Sequence, residues 1–484
     1  MHYLILKKCK VSSILSSKKC IIFLYLSSKK CNFYFIISSK KCNFAAITVI
    51  LMLMRRKLID KLKEWKEKSS RKPLILLGAR QVGKTWLMRE FGRLYYENVA
   101  YVNCDAEPLA KQLFDDYDVK RILFSIQTIT GVKPEPGKTL IILDEIQEAP
   151  RGLHSLKYFE EDAPQYHVMA AGSLLGVTLG QGESFPVGKV DMLHVYPMDF
   201  EEFLEANGGD NLLSVLRSGD WKMIDMFSEK FQEQLRQYYF VGGMPEVVSH
   251  FVSEHDQKEV RRYQQNIIDA YRNDISKHTT SSESIRIGQV LDCLPSQLAK
   301  ENKKFIYGVI KKGARAKEYE TAIQWLIDAG IVVKVSRVKE LRMPVKFYED
   351  LSSFKLFLLD CGLFGCMTGA SAKQMLIGNN VFTEFKGAFT EQFVLQQLVA
   401  RGITPYYWSN DTTPAEIDFV IETEDRVIPI EVKAEENVRA RSMKYNIDNN
   451  PELNLKGLRV SMKGYVDQGW MENIPLYYIS EYKC

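Results

Sequence analysis

Residues Gly78–Thr85 read Gly-Ala-Arg-Gln-Val-Gly-Lys-Thr, a complete G-x-x-x-x-G-K-[ST] loop, and no other stretch limits the fold as much. In such a loop the glycines let backbone N–H groups turn inward around phosphate oxygens. The lysine reaches the β- and γ-phosphates, and the final hydroxyl holds Mg²⁺. This works only where a strand delivers the loop and a helix leads away from it. Both flanks comply: Pro73–Leu77 is a short apolar run, and Trp86–Phe91 continues with helical spacing. The sequence therefore predicts an α/β domain that binds ATP with Mg²⁺. Gly78, Ala79, Arg80, Gln81, Val82, Gly83, Lys84 and Thr85 form its cradle, and Lys84 bridges the phosphates.

About sixty residues on, the apolar run Leu140–Leu143 ends in Asp144 and Glu145. A strand parallel to the first and ending beside it brings Asp144 to the Mg²⁺ held by Thr85. Glu145 then faces the γ-phosphate, placed to polarise the attacking water. A further apolar strand, His167–Ala171, runs into Gly172-Ser173. Ser173 either senses the γ-phosphate or closes an ordinary Gly-Ser turn. Val99–Asn103 supplies another strand. Strands alternating with helices imply a parallel sheet with the nucleotide at its carboxyl ends.

Several motifs resemble the bacterial and archaeal AAA-type ATPases fused to domain of unknown function 4143. They are Gly78–Thr85, Leu143–Gln147, Ala171–Ser173, Phe185–Val190 running into Tyr196–Phe203, Tyr239–Glu246 and Phe354–Leu363. The resemblance spans essentially everything after Met54. It implies ATP hydrolysis, a helical lid over the nucleotide, and typically a homo-oligomeric ring, with a monomer or dimer also open. One departure is Gly188-Lys189 where the family pattern leads one to expect Gly-Arg. A lysine there gives a point charge without the planar fork of an arginine finger, and Arg151 is a spare candidate.

The 484 residues suffice for about three domains, but the first 51 stand apart. Lys-Lys-Cys recurs at Cys9, Cys20, Cys31 and Cys42, eleven residues apart each time. This stretch holds nine lysines and no acid, so the net charge of +5 becomes −4 for the remainder. Global charge thus gives no reason to expect a nucleic-acid partner. A tandem DNA repeat translated upstream of the true start, at Met52 or Met54, explains the period better than a repeat fold or a targeting segment. Ala45–Met54 is too short an apolar run to span a bilayer, so no membrane partner is expected. The remaining cysteines, Cys104, Cys293, Cys361, Cys366 and Cys484, form no C-x-x-C pair, which suits a reducing cytoplasm.

The expected organisation is a repeat-derived leader (1–53), an AAA-type ATPase core (54–206), a helical lid (207–283), a winged-helix-like segment (284–345) and a nuclease-like C-terminal domain (346–484). Within the lid, Tyr271–Lys277 reads as a solvated helix face in preference to one that contacts phosphates or a partner. In the winged-helix-like segment, helices around Ile285–Leu298 and Ala316–Ala329 precede a wing strand at Ile331–Val335. Seven basic residues (Lys300, Lys303, Lys304, Lys311, Lys312, Arg315, Lys317) face only Glu301. They suit either DNA phosphates or a protein partner.

A second acidic constellation lies near the carboxyl end. Ala415–Ile421 and Val427–Ala434 read as a hairpin centred on Glu424-Asp425, which sets Asp418 opposite Glu431. Glu431 and Lys433 share a face, Ile417, Phe419, Ile421, Ile430 and Val432 turn to the core, and Glu391 sits on the preceding helix, Phe389–Val399. Asp…Glu-x-Lys after an acidic helix resembles the PD-(D/E)-x-K nuclease superfamily. The resemblance implies metal ligation by Asp418, Glu431 and Glu391, with Lys433 stabilising charge. Two functions follow: an ATPase coupled to a nuclease-like or DNA-binding domain, or a signalling or assembly ATPase whose inert C-terminal domain binds only protein partners.

Overall fold

The computed structural model describes residues 54–149, 151–180, 185–300, 303–377, 380–434 and 440–483, together with three strands nearer the amino terminus. The chain divides into two units, Met1–Met54 and Arg55–Cys484. In the first, β1 (Val11–Ser17), β2 (Cys20–Leu26) and β3 (Phe33–Ile37) form an antiparallel sheet. The leader thus forms strands of its own, which the reading of its period had not anticipated. Met52 lies outside the described residues.

The second unit opens on the predicted parallel sheet: β4 (Leu74–Leu77), β5 (Asn98–Asn103), β6 (Thr139–Asp144), β7 (His167–Ala171) and β8 (Asp191–His194). Its order is β5-β6-β7-β4-β8. Every position of β6 is buried, as expected for an inner strand covered on both faces. The helices Lys84–Tyr95, Val119–Thr130 and Gly152–Asp162 connect the strands. Two expectations need correction. The Asp144 strand does not lie beside the phosphate-loop strand, because β7 runs between them. Thr85 starts the helix after the loop, and from there its side chain reaches the end of β6. The fifth strand, β8, escaped the sequence reading because its burial alternates and its apolar signal is weak.

Helices from Phe200–Ala206 to Gln257–His278 follow, across most of the segment expected to be a lid (207–283). A buried polar knot ties it to the second half of the chain. Asp360 accepts from Gly243 N at 2.5 Å and from Gln396 Nε2 at 3.0 Å, while Gly243 O accepts from Met198 N at 2.7 Å. Any Cβ at Gly242 would lie 2.2 Å from an Asp360 oxygen. The two motifs Tyr239–Glu246 and Phe354–Leu363 therefore meet as interlocking halves of one contact.

Helices Ser281–Leu298, Tyr307–Ile310 and Ala316–Asp328 then lead into a hairpin of β9 (Val332–Val338) and β10 (Glu349–Leu358). This is the element order of a winged helix, but the hairpin does not stand free. β9 pairs in parallel with β11 (Tyr406–Ser409), so the hairpin is the edge of an eight-stranded sheet. That sheet also holds β12 (Glu416–Glu422), β13 (Val427–Val432), β14 (Gly457–Ser461), β15 (Val466–Asp467) and β16 (Met471–Pro475), in the order β10-β9-β11-β12-β13-β14-β16-β15. The helix Asn380–Ala400 packs on it. Among the described residues no helix is long and apolar enough to cross a membrane, and Cys104, Cys293, Cys361 and Cys366 are free thiols.

Candidate functional site

The phosphate loop turns where only glycine fits. Gly78 has φ +144°, and a Cβ there would lie 2.2 Å from Val195 O, so a side chain would clash as well as strain the backbone. Lys84 folds back on its own loop. Its Nζ donates to Gly78 O at 2.8 Å and Ala79 O at 2.7 Å. Burial lowers its pKa to about 8, against the pull of Glu145 and Asp144.

Thr85 Oγ1 donates to Asp144 Oδ2 at 2.8 Å, and Tyr101 OH donates to the same oxygen at 2.9 Å. A hydroxyl and a carboxylate meeting at the mouth of the loop are hard oxygen donors of the kind Mg²⁺ takes alongside phosphate oxygens, so the residues fit the ion. Glu145 follows in a left-handed conformation, φ +50°. Its Oε2 accepts from Gln147 Nε2 at 2.7 Å, Ser173 N at 3.0 Å and Ser173 Oγ at 3.1 Å. Strained backbone of this sort persists where surrounding contacts fix it, and here three donors fix the carboxylate. Ser173 thus aims its hydroxyl at Glu145. A cavity of ≈ 420 Å³ opens beside them, with Arg80, Asp274, Lys277 and His278 also on its wall.

Two residues brace the loop from outside it. Arg56 is buried, and it donates from Nε to Glu202 Oε1 at 3.1 Å, from Nη1 to Val82 O at 3.0 Å and from Nη2 to Tyr196 O at 2.7 Å. Tyr271 OH accepts from Arg80 N at 2.8 Å, while the Arg80 guanidinium pairs with Asp274. Tyr271 and Asp274 are both buried. This overturns the reading of Tyr271–Lys277 as a solvated helix face, since its inner side closes over the phosphate loop. Both finger candidates are engaged elsewhere. Lys189 pairs with Glu160 at 3.0 Å and Glu161 at 2.9 Å, and the Arg151 guanidinium donates to Asp115 O and lies over the Tyr117 ring.

In the C-terminal hairpin, Phe419 pairs with Ile430 and Ile421 with Ile428, a register that sets Asp418 opposite Glu431. Ile417, Phe419, Ile421, Ile430 and Val432 are buried. Asp418 Oδ2 accepts from Val432 N at 2.7 Å. Burial, then the neighbouring Glu391 and Glu431, pushes Asp418 up to about 8. Glu391 joins these residues, but the cluster is answered by lysines. Glu431 pairs with Lys433 at 2.5 Å, Glu391 with Lys303, and Glu416 with Lys355, which is fully buried. Burial lowers the Lys355 pKa, but Glu416, Glu391 and Asp418 together outweigh it and raise it overall. Lys303, counted above among residues suited to DNA, is 8 % exposed and spent inside this cluster. Among the described residues no group of three His, Cys, Asp or Glu side chains is arranged to hold a metal ion. Within this cluster Glu391 Oε2 and Glu431 Oε2 are buried without a hydrogen-bond partner.

Lys355 had one sequence signal, a lone charge inside the apolar run Phe354–Leu359. Arg56, Tyr101, Tyr271 and Asp274 had none, because their partners are 26 to 194 positions away along the chain.

Three family models match parts of the chain: an AAA domain over residues 70–204, a domain of unknown function (DUF8612) over 232–374, and a domain of unknown function (DUF4143) over 386–482. The AAA domain contains Gly78–Thr85, Asp144, Glu145 and Ser173, and supports ATP-dependent activity. The DUF4143 match contains Glu391, Asp418, Glu431 and Lys433. No curated protein matches. Among solved structures the chain is similar to the Aeropyrum pernix Orc1 protein in complex with DNA, at 12% identity, covering 68% of this chain and 92% of that one with a TM-score of 0.26. It is also similar to a RuvB point mutant from Thermotoga maritima, at 14% identity, covering 58% and 89% with a TM-score of 0.28. Scores this low mean that few positions superpose over the length of the chains.

Proposed function

We propose that this chain hydrolyses ATP with Mg²⁺ at Gly78–Thr85 and that its C-terminal half binds a partner and does not cut one. The observation that carries the reading is the convergence of Thr85, Asp144 and Glu145 on the mouth of the phosphate loop. Lys84 leaves Gly78 O and Ala79 O for the β- and γ-phosphates, and Thr85 and Asp144 would hold Mg²⁺, which would neutralise phosphate charge when bound. Glu145, fixed by Gln147 and Ser173, orients the water and takes its proton. Phosphate release by the purified protein tests this directly. Lys84→Ala is expected to abolish it, and undiminished release by that variant would sink the reading.

For the C-terminal half, three lysines already balance three of four carboxylates, which favours a stable binding module over a metal centre. Lys311, Lys312, Arg315 and Lys317 are exposed at the start of Ala316–Asp328, and such a row suits a phosphate backbone. Binding to duplex DNA that weakens steeply between low and physiological salt is the expected behaviour. A second reading, a metal-dependent nuclease, is favoured by the partnerless buried oxygens of Glu391 and Glu431. Nicking of DNA with Mg²⁺ or Mn²⁺ that Asp418→Ala and Lys433→Ala both abolish would establish it instead. A cytoplasmic location and a homo-oligomeric state remain part of this proposal.

A further inference from the structure

Hydrolysis spreads negative charge over the transferred phosphoryl group, and some cation must meet it. Mg²⁺ and Lys84 supply part of that charge. The two finger candidates each have partners within the chain: Lys189 pairs with Glu160 and Glu161, and Arg151 meets Asp115 and Tyr117. One guanidinium does stand on the wall of the cavity that Glu145 and Ser173 line, and it belongs to the phosphate loop itself. Arg80 lies within electrostatic reach of both Glu145 and Lys84. A single nitrogen of its guanidinium, Nη1, contacts both carboxylate oxygens of Asp274, a buried acid on the same wall. Its backbone N–H is held separately by Tyr271, so the side chain can turn while the loop stays in place.

We propose that Arg80 is an internal arginine finger, parked on Asp274 until a γ-phosphate competes for its guanidinium. This rests on the hydrolysis site assigned above and deepens it. Water attacks the γ-phosphorus and the bond to the β–γ bridging oxygen breaks, leaving with its electron pair on ADP. The water proton passes to Glu145 and then to solvent or phosphate. Arg80 meets the charge on the γ-oxygens through two parallel N–H···O contacts, the geometry that suits arginine and not lysine. No second copy of the chain is needed to complete such a site. The Asp274 helix, Gln257–His278, packs on Cys361–Met367 and Ser281–Leu298, so unparking Arg80 removes one of the two ties between the loop and a helix that reaches the second half of the chain.

Steady-state ATP turnover and ADP affinity of Arg80→Ala, Arg80→Lys and Asp274→Asn, beside Glu145→Gln, test this. Arg80→Ala should lose about 10³-fold in kcat, the scale of an arginine finger, with ADP affinity changed less than about threefold. Arg80→Lys should recover only a small part of that loss, and Asp274→Asn should turn over as fast as wild type or faster. If Arg80→Ala binds ADP poorly, Arg80→Lys and Asp274→Asn decide. Turnover by Arg80→Ala within about threefold of wild type, with Glu145→Gln inactive, would overturn the finger and leave the hydrolysis site intact. So would an Asp274→Asn variant as slow as Arg80→Ala, since the pair would then be a brace only. Full turnover by both Arg80→Ala and Glu145→Gln would instead displace the hydrolysis site itself.

Discussion

The chain contains two places where carboxylates and cations crowd together, and they treat charge in opposite ways. At the phosphate loop Lys84 is bonded only to neutral carbonyls, and the Asp144 carboxylate only to hydroxyls and the Glu145 amide. Among the described residues neither makes a direct ion pair, although Glu145 and Asp144 lie within electrostatic reach of Lys84. In the C-terminal sheet Lys303, Lys355 and Lys433 each sit on a glutamate. Charge there is balanced internally, and taking two opposite charges out of water together is tolerable only when they stay paired. Similar residues thus make a reactive site in one case and a scaffold in the other. The difference is whether the counter-ion is built in or must be bound.

The largest expected effect breaks the comparison if it fails. Glu145→Gln should cost at least about 10²-fold in kcat, the contribution of a positioned base, whereas Glu431→Gln should leave ATP turnover within about twofold. Equal losses in both would mean that the C-terminal cluster takes part in hydrolysis. Next comes stability. Lys303→Ala should destabilise the fold by about 3–5 kcal/mol in denaturant unfolding, because Glu391 is left buried and unpaired. A Lys303→Met, Glu391→Leu double variant should recover most of that. A Lys303→Ala protein of unchanged stability would argue that a bound cation, not a lysine, balances Glu391.

A smaller effect lies at the far end of the ATPase sheet. His167 is 7 % exposed, bonded to Tyr96 OH at 2.6 Å, and burial, then Arg71 and Lys66, lowers its pKa to about 4. Folding holds it neutral, so its contribution is whole above the ordinary histidine value of about 6.5. That contribution is lost as pH falls towards 4. Thermal unfolding should show this loss, on the order of 1–3 kcal/mol, and His167→Gln should flatten it. The smallest effect is Lys189→Ala, whose turnover should stay within about twofold of wild type because surface pairs contribute little. A collapse of turnover would restore Lys189 as the finger.

Local features were legible in the sequence and long-range ones were not. The loop Gly78–Thr85 is contiguous, and its chemistry follows from its own spacing. The hairpin register that sets Asp418 against Glu431 follows from period-two alternation about one short turn. The sheet order did not follow, because no residue of β6 records that β7 separates it from β4. Nor did the brace by Tyr271 and Asp274, since a helix face that covers a loop about 190 positions away shows the same spacing as one facing water. The cation count misled for the same reason: Lys303 sits among exposed basic residues in sequence, yet its ammonium is buried against Glu391.

The central claim is that Glu145 acts on water at a site assembled by Lys84, Thr85 and Asp144. Its most direct test is ATP binding and phosphate release measured together on Glu145→Gln. The account predicts a protein that binds ATP with near wild-type affinity and releases almost no phosphate. Release at the wild-type rate, with ATP bound as tightly, would contradict it.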